Sequence, residues 1–138
     1  MTATLDAPQQ AAAAQAADGL PVALDPHTLG LLSQLDPTGA NQLVQRVLIT
    51  YRASLARLRQ QALQAHSTGD AATVKLAVHT LKSSSASVGA LRLSALCAEA
   101  EQCVREGRLD SLPEVLGRLD AEAARVDEAV FSLLQAPR

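Results

Sequence analysis

The chain has 138 residues and a formal net charge of −2, with 48% hydrophobic residues but only 1% aromatic. This is room for one domain, whose core must be built of Leu, Val and Ala; those residues favour helix and offer little with which to make a sheet. There is no basic excess of the kind a sequence-independent nucleic-acid binder carries, no apolar run near the ~18 residues of a membrane span and no signal-peptide pattern at the N-terminus, so a cytoplasmic all-α protein is expected.

Residues 1–21 are rich in Ala and Gln without a lasting apolar period. They read as a disordered leader of no assigned function, with the folded domain over residues 22–136. Order should begin at Asp25-Pro26, where Asp suits a helix N-cap and Pro the first helical position. Leu29, Leu32 and Leu35 then mark a short helix that stops before Asp36-Pro37-Thr38-Gly39 and should lie as a lid across the rest.

A long helix is expected over residues 40–66, because Val44, Val47, Leu48, Tyr51, Leu55, Leu58 and Ala62 recur at spacings of three and four. His66 falls in its last turn, a position that favours a cation. Gly69 and Asp70 then supply a left-handed stop and a new cap. The helix over residues 71–88 buries Val74, Val78, Leu81, Ser85 and Val88, and Gly89 stops it. The next, over residues 90–106, buries Leu93, Leu96, Cys97, Ala100 and Val104. The last runs over residues 112–134 behind a capping box of Ser111 and Glu114, with Leu112, Val115, Leu119, Ala123, Val126, Val130 and Leu133 on its apolar face. One apolar face per helix and short connections specify an antiparallel up-down four-helix bundle with a short additional N-terminal helix.

Cys97 and Cys103 lie in one predicted helix, ~120° apart around its axis and ~9 Å along it, too far for a disulfide. With no further Cys/His cluster beside them, zinc is not expected, and both read as small buried side chains.

His79 is the histidine of chemical interest. On a helical wheel it stands about 125° from the centre of the apolar stripe, on the shoulder of its helix and outside the core. Lys75, Lys82 and Ser83 lie one turn away, and Ala72 and Ala86 lie two turns away. Lys75 and Lys82 are the only lysines in the chain; every other base is Arg. A neutral imidazole is a good nucleophile near neutral pH. A phosphoryl group on it would bring a negative charge that a flexible ammonium could offset, while small neighbours would let a partner approach closely.

The ordered set His79-Thr80-Leu81-Lys82-Ser83-Ser84-Ser85, Val88-Gly89-Ala90, Leu93, Leu96-Cys97 and Glu101 closely resembles the histidine-containing phosphotransfer (HPt) domain motif. In that family the pattern is His-x-Leu-Lys-Gly-Ser-Ser, Gly-Ala, then Leu-x-x-Leu-Cys-x-x-Leu-Glu. The resemblance implies that His79 accepts a phosphoryl group on Nε2, that Lys82 stabilises it, and that Glu101 orients the imidazole. Lys75, Ser83, Ala86 and Gly89 are then expected at the partner surface. Ser83 replaces the family's usual Gly, which keeps the site small, and Ala100 replaces its usual Leu.

The implied function is a phosphocarrier that takes its phosphoryl group from a receiver-domain aspartate and relays it to another receiver. It would lack autokinase activity, since no Gly-rich phosphate loop is present. Partners would be response-regulator receiver domains and a hybrid sensor histidine kinase, with no nucleic acid and no membrane. No cofactor or metal of its own is expected, Mg²⁺ coming with the receiver. A monomer is expected, because a dimer would risk covering His79, and the Met1 start with its leader favours a stand-alone protein over a fragment of a sensor. The alternative is a bundle that binds a receiver without accepting phosphate, which intact His79 and Lys82 disfavour. A histidine-kinase dimerisation pair usually has an acidic residue after the histidine, where this chain has Thr80. A di-metal bundle would need Glu-x-x-His, which does not occur here.

Overall fold

The computed structural model describes residues 22–136. The expected 1–21 leader lies outside the described residues. Within them the chain forms five helices and no strand: α1 (Pro26–Gln34), α2 (Leu43–Ser67), α3 (Ala71–Ser87), α4 (Leu91–Arg105) and α5 (Leu112–Gln135). The helices α2 to α5 make the expected bundle. Around its ring α2 packs on α3 and α5, and α4 packs on α3 and α5.

The apolar periods account for this arrangement. Leu48 and Leu55 from α2, Val74, Val78 and Leu81 from α3, Leu93 and Cys97 from α4, and Leu119, Val126 and Val130 from α5 are all almost fully buried. Each buried aliphatic side chain stabilises the fold by roughly 1.5–3 kcal/mol. Ser85, inside the apolar stripe of α3, is buried because its hydroxyl meets the Tyr51 hydroxyl of α2 at 2.8 Å. The buried oxygens thereby satisfy each other. Both cysteines are free and buried, as their spacing requires.

The starts of α1 and α3 follow the expected local chemistry, and those of α2 and α5 depart from it. Asp25 caps α1 through the Thr28 N–H at 3.0 Å, and Asp70 caps α3 through the Thr73 N–H at 3.1 Å. At α5 the expected capping box does not form: Ser111 makes no capping hydrogen bond. Its backbone is already in the right-handed helical region (φ −86°, ψ −17°), where an N-cap is normally extended and its hydroxyl turns back on the first N–H groups. The start of α2, at Leu43, also falls later than the expected residue 40. The buried carboxylate of Asp36 accepts the N–H groups of Asn41 and Leu43, and Gln42 takes a left-handed φ of 51°, so the chain is still turning up to residue 42.

The N-terminal segment covers the bundle less than a lid would. No residue of α1 is buried, and Leu35 is 74% exposed. Attachment comes instead from Ala23 and Leu24, which are buried ahead of the helix, and from half-buried Leu29. At the other end of the bundle sequence, Leu133 is exposed and Leu134 packs in its place. A buried carboxylate on α5, Glu122, accepts Arg125 Nη1 at 2.7 Å and faces Arg92 Nε of α4 at 3.4 Å, tying those two helices together.

Gly89 joins α3 to α4 and receives the N-terminal segment. Its φ of +87° suits glycine, its carbonyl accepts the Asp25 N–H at 2.8 Å, and a Cβ there would meet Asp25 N and O at 3.0 Å. Gly89→Ala should therefore cost about 1–3 kcal/mol and loosen residues 22–25. Chemical denaturation with hydrogen exchange at Asp25 checks this, and an unchanged midpoint would refute it.

Candidate functional site

His79 stands in the third turn of α3 on a side chain that is 59% exposed. The wheel argument is borne out: the stripe of Val74, Val78 and Leu81 turns inward and leaves the imidazole on the shoulder. Its Nδ1 lies 2.7 Å from Oε2 of Glu101 on α4. The residues are 22 positions apart, and only the packing of α3 against α4 brings them together.

Glu101 is the anchor of this site. Its side chain is only 5% exposed, yet it keeps three polar partners. Oε1 accepts Lys82 Nζ at 2.7 Å, while Oε2 takes His79 Nδ1 and lies 3.2 Å from Arg105 Nη2. The Lys82 ammonium holds the Glu101 carboxyl below the usual carboxylate range; burial works against it, and the His79 hydrogen bond adds to the lowering. The carboxylate is thus ionised at neutral pH and can only accept. Nδ1 must therefore carry the proton of the neutral ring, which leaves the lone pair on Nε2, the nitrogen available to an approaching group.

The setting around the ring is uneven. Lys82 is committed to Glu101 and held from behind, its carbonyl accepting the Ser94 hydroxyl of α4 at 2.9 Å. Lys75, half-buried one turn before His79, makes no ion pair with any described residue. Ser83 and Ala86 are exposed on the same face, as expected. The hydroxyls of Thr80, Ser84 and Ser87 turn back onto carbonyls of their own helix at 3.0–3.2 Å. One large apolar side chain stands on this surface, Leu76, 68% exposed.

Gly89 departs from the expectation. It is buried beneath Asp25 and Thr28, so it shapes the α3–α4 turn and is not on the surface around His79. Cys97, one turn before Glu101, is also buried; loss of solvent pushes its thiol up to about 12 and keeps it protonated. Sequence reasoning missed Arg105. Its i+4 spacing from Glu101 was the available signal, since such pairs meet on a helix surface.

Among the described residues, no helix is long and apolar enough to cross a membrane. No curated protein matches the chain. The fold is similar to that in the crystal structure of histidine-containing phosphotransfer protein B (HptB) from Pseudomonas aeruginosa PAO1, with a TM-score of 0.76 at 24% identity, covering 84% of this chain and 97% of that one. The model of the Hpt domain family matches residues 42–129, a span that holds α2 to α4 and most of α5 together with His79, Lys82 and Glu101. The chain belongs to the Hpt domain family.

Proposed function

We propose that this protein is a phosphorelay intermediate that carries a phosphoryl group on His79 between receiver domains. The observation that carries this reading is the 2.7 Å contact between His79 Nδ1 and the buried Glu101 carboxylate on an otherwise exposed ring. The Nε2 lone pair attacks the phosphorus of an aspartyl phosphate in a receiver. The P–O bond to the aspartate breaks, and the carboxylate leaves with the bonding pair. His79 keeps its Nδ1 proton, so the ring gains positive charge, which ionised Glu101 offsets. The reverse step delivers the phosphoryl group to the aspartate of a second receiver.

Lys82 is the point charge that meets the phosphoryl oxygens, and Lys75, Ser83 and Ala86 belong to the surface a receiver covers. The donor is the receiver domain of a hybrid sensor histidine kinase or a response regulator. Mg²⁺ belongs to that receiver's own acidic site, so this chain needs no cofactor. It acts in the cytoplasm as a monomer and is a phosphocarrier without autokinase activity.

The test incubates the protein with a labelled phospho-receiver and Mg²⁺ and follows acid-labile, alkali-stable label on the chain. Label on the wild type supports the reading. Absence of label with every receiver tested, alongside retained binding, would instead make this a receiver-binding bundle that accepts no phosphate. Lys82→Ala should slow transfer by about ten-fold while circular dichroism stays unchanged. Equal single-turnover rates for that variant and the wild type would remove Lys82 from the mechanism.

A further inference from the structure

Lys82 has two duties that compete. In the free protein its ammonium sits 2.7 Å from Glu101 Oε1. A phosphoryl group on His79 Nε2 would draw that ammonium away from the carboxylate. Glu101, whose side chain is only 5% exposed, would then lose its closest cation. A buried carboxylate that loses its counter-charge before the ring has become positive takes up a proton or gives way. Either event would end its hold on the Nδ1 proton at the moment the ring becomes positive.

Arg105 is placed to prevent this. Its Nη2 lies 3.2 Å from Glu101 Oε2, the same oxygen that accepts His79 Nδ1. Its other terminal nitrogen, Nη1, donates to Gln102 Oε1 at 2.8 Å, which holds the guanidinium over the carboxylate. The side chain is 52% exposed, so its own charge is solvated at small cost. Arg105 and Glu101 share one helix at i,i+4, and their pairing does not depend on where Lys82 points. A guanidinium stays charged throughout.

We propose that Arg105 is a positioning residue for phosphoryl transfer, the counter-charge that keeps Glu101 in place on His79 Nδ1 when Lys82 turns to the phosphoryl group. The inference rests on the phosphocarrier reading, but part of its test does not need transfer. Lys82→Ala imitates the departed lysine in the unphosphorylated protein, and ¹⁵N NMR of the His79 ring reports where its proton lies. Lys82→Ala should keep the neutral Nδ1–H form at neutral pH. Adding Arg105→Gln should remove it, the Glu101 carboxyl taking up a proton and donating to Nδ1 while the ring proton moves to Nε2, and Arg105→Lys in the same background should restore most of it.

In the otherwise wild-type protein, Arg105→Gln should slow transfer by about five-fold, and this loss should vanish when Glu101→Gln is already present. An Nδ1–H signal in the double variant equal to that of Lys82→Ala overturns the proposal. So does an Arg105→Gln loss of the same size in the Glu101→Gln background, which would mean that the guanidinium acts on the phosphoryl group directly. A wild type that accepts no label from any receiver overturns the phosphocarrier reading and this role with it. Normal wild-type transfer with an unaltered double variant removes only Arg105.

Discussion

His79→Gln is expected to abolish phosphoryl acceptance, by more than about a thousand-fold, with no loss of fold. The side chain is 59% exposed and takes no part in the core, so glutamine can stand in its place without leaving a cavity. The amide also keeps a donor that can reach Glu101, so the buried carboxylate is not stranded. What it lacks is a nucleophilic lone pair of the right basicity. Single-turnover transfer from a labelled phospho-receiver measures the effect, with circular dichroism and thermal melting as the folding control. Undiminished transfer to the variant would move the acceptor elsewhere and take the proposed function with it.

Glu101→Ala is the second large effect, expected at about a hundred-fold in transfer rate. Removing the carboxylate deletes the acceptor for His79 Nδ1 and releases Lys82 and Arg105 together. The imidazole then loses both its fixed orientation and its preference for the Nδ1–H form, so fewer rings present Nε2 as a free base. A change confined to binding of the receiver, with an unaltered transfer step at saturation, would contradict this account.

Glu101 also makes a prediction about acid stability. Its carboxyl is held below the ordinary glutamate range by Lys82 first and His79 after it. A group depressed in the folded state contributes stability at pH above its unfolded value and loses that contribution as pH falls through the folded one. Wild type should therefore lose stability relative to Glu101→Gln only below about pH 4.5. Parallel denaturation curves from pH 7 to pH 3 would show it, and a difference that is constant over that range would rule it out.

The periodicities of three and four carried most of the fold. They located the long helices, their inward faces and the outward place of His79, because helix geometry converts spacing directly into direction. They fared less well where a terminus depends on a single backbone angle. Ser111 and Glu114 have the composition of a capping box, yet Ser111 is already in the helical region and makes no cap. Leu35 completes the apolar spacing expected for the first helix, yet α1 ends at Gln34 and is held by Ala23, Leu24 and Leu29, and Leu35 stays in solvent. Gly89 was expected where a partner would touch, but its positive φ and the Asp25 backbone against it give it a packing role.

By itself the sequence determined the helical class, the shoulder position of His79, the lysines on its face and, through the ordered motif, Glu101 as its companion. Only the tertiary structure decided how charge is shared there. The Glu101 carboxylate collects His79, Lys82 and Arg105 because α3 packs on α4 with that carboxylate turned inward. A helical wheel treats each helix alone and has no term for which side chains meet across two of them. The burial that makes Glu101 demand a counter-charge exists only once the helices have closed around it.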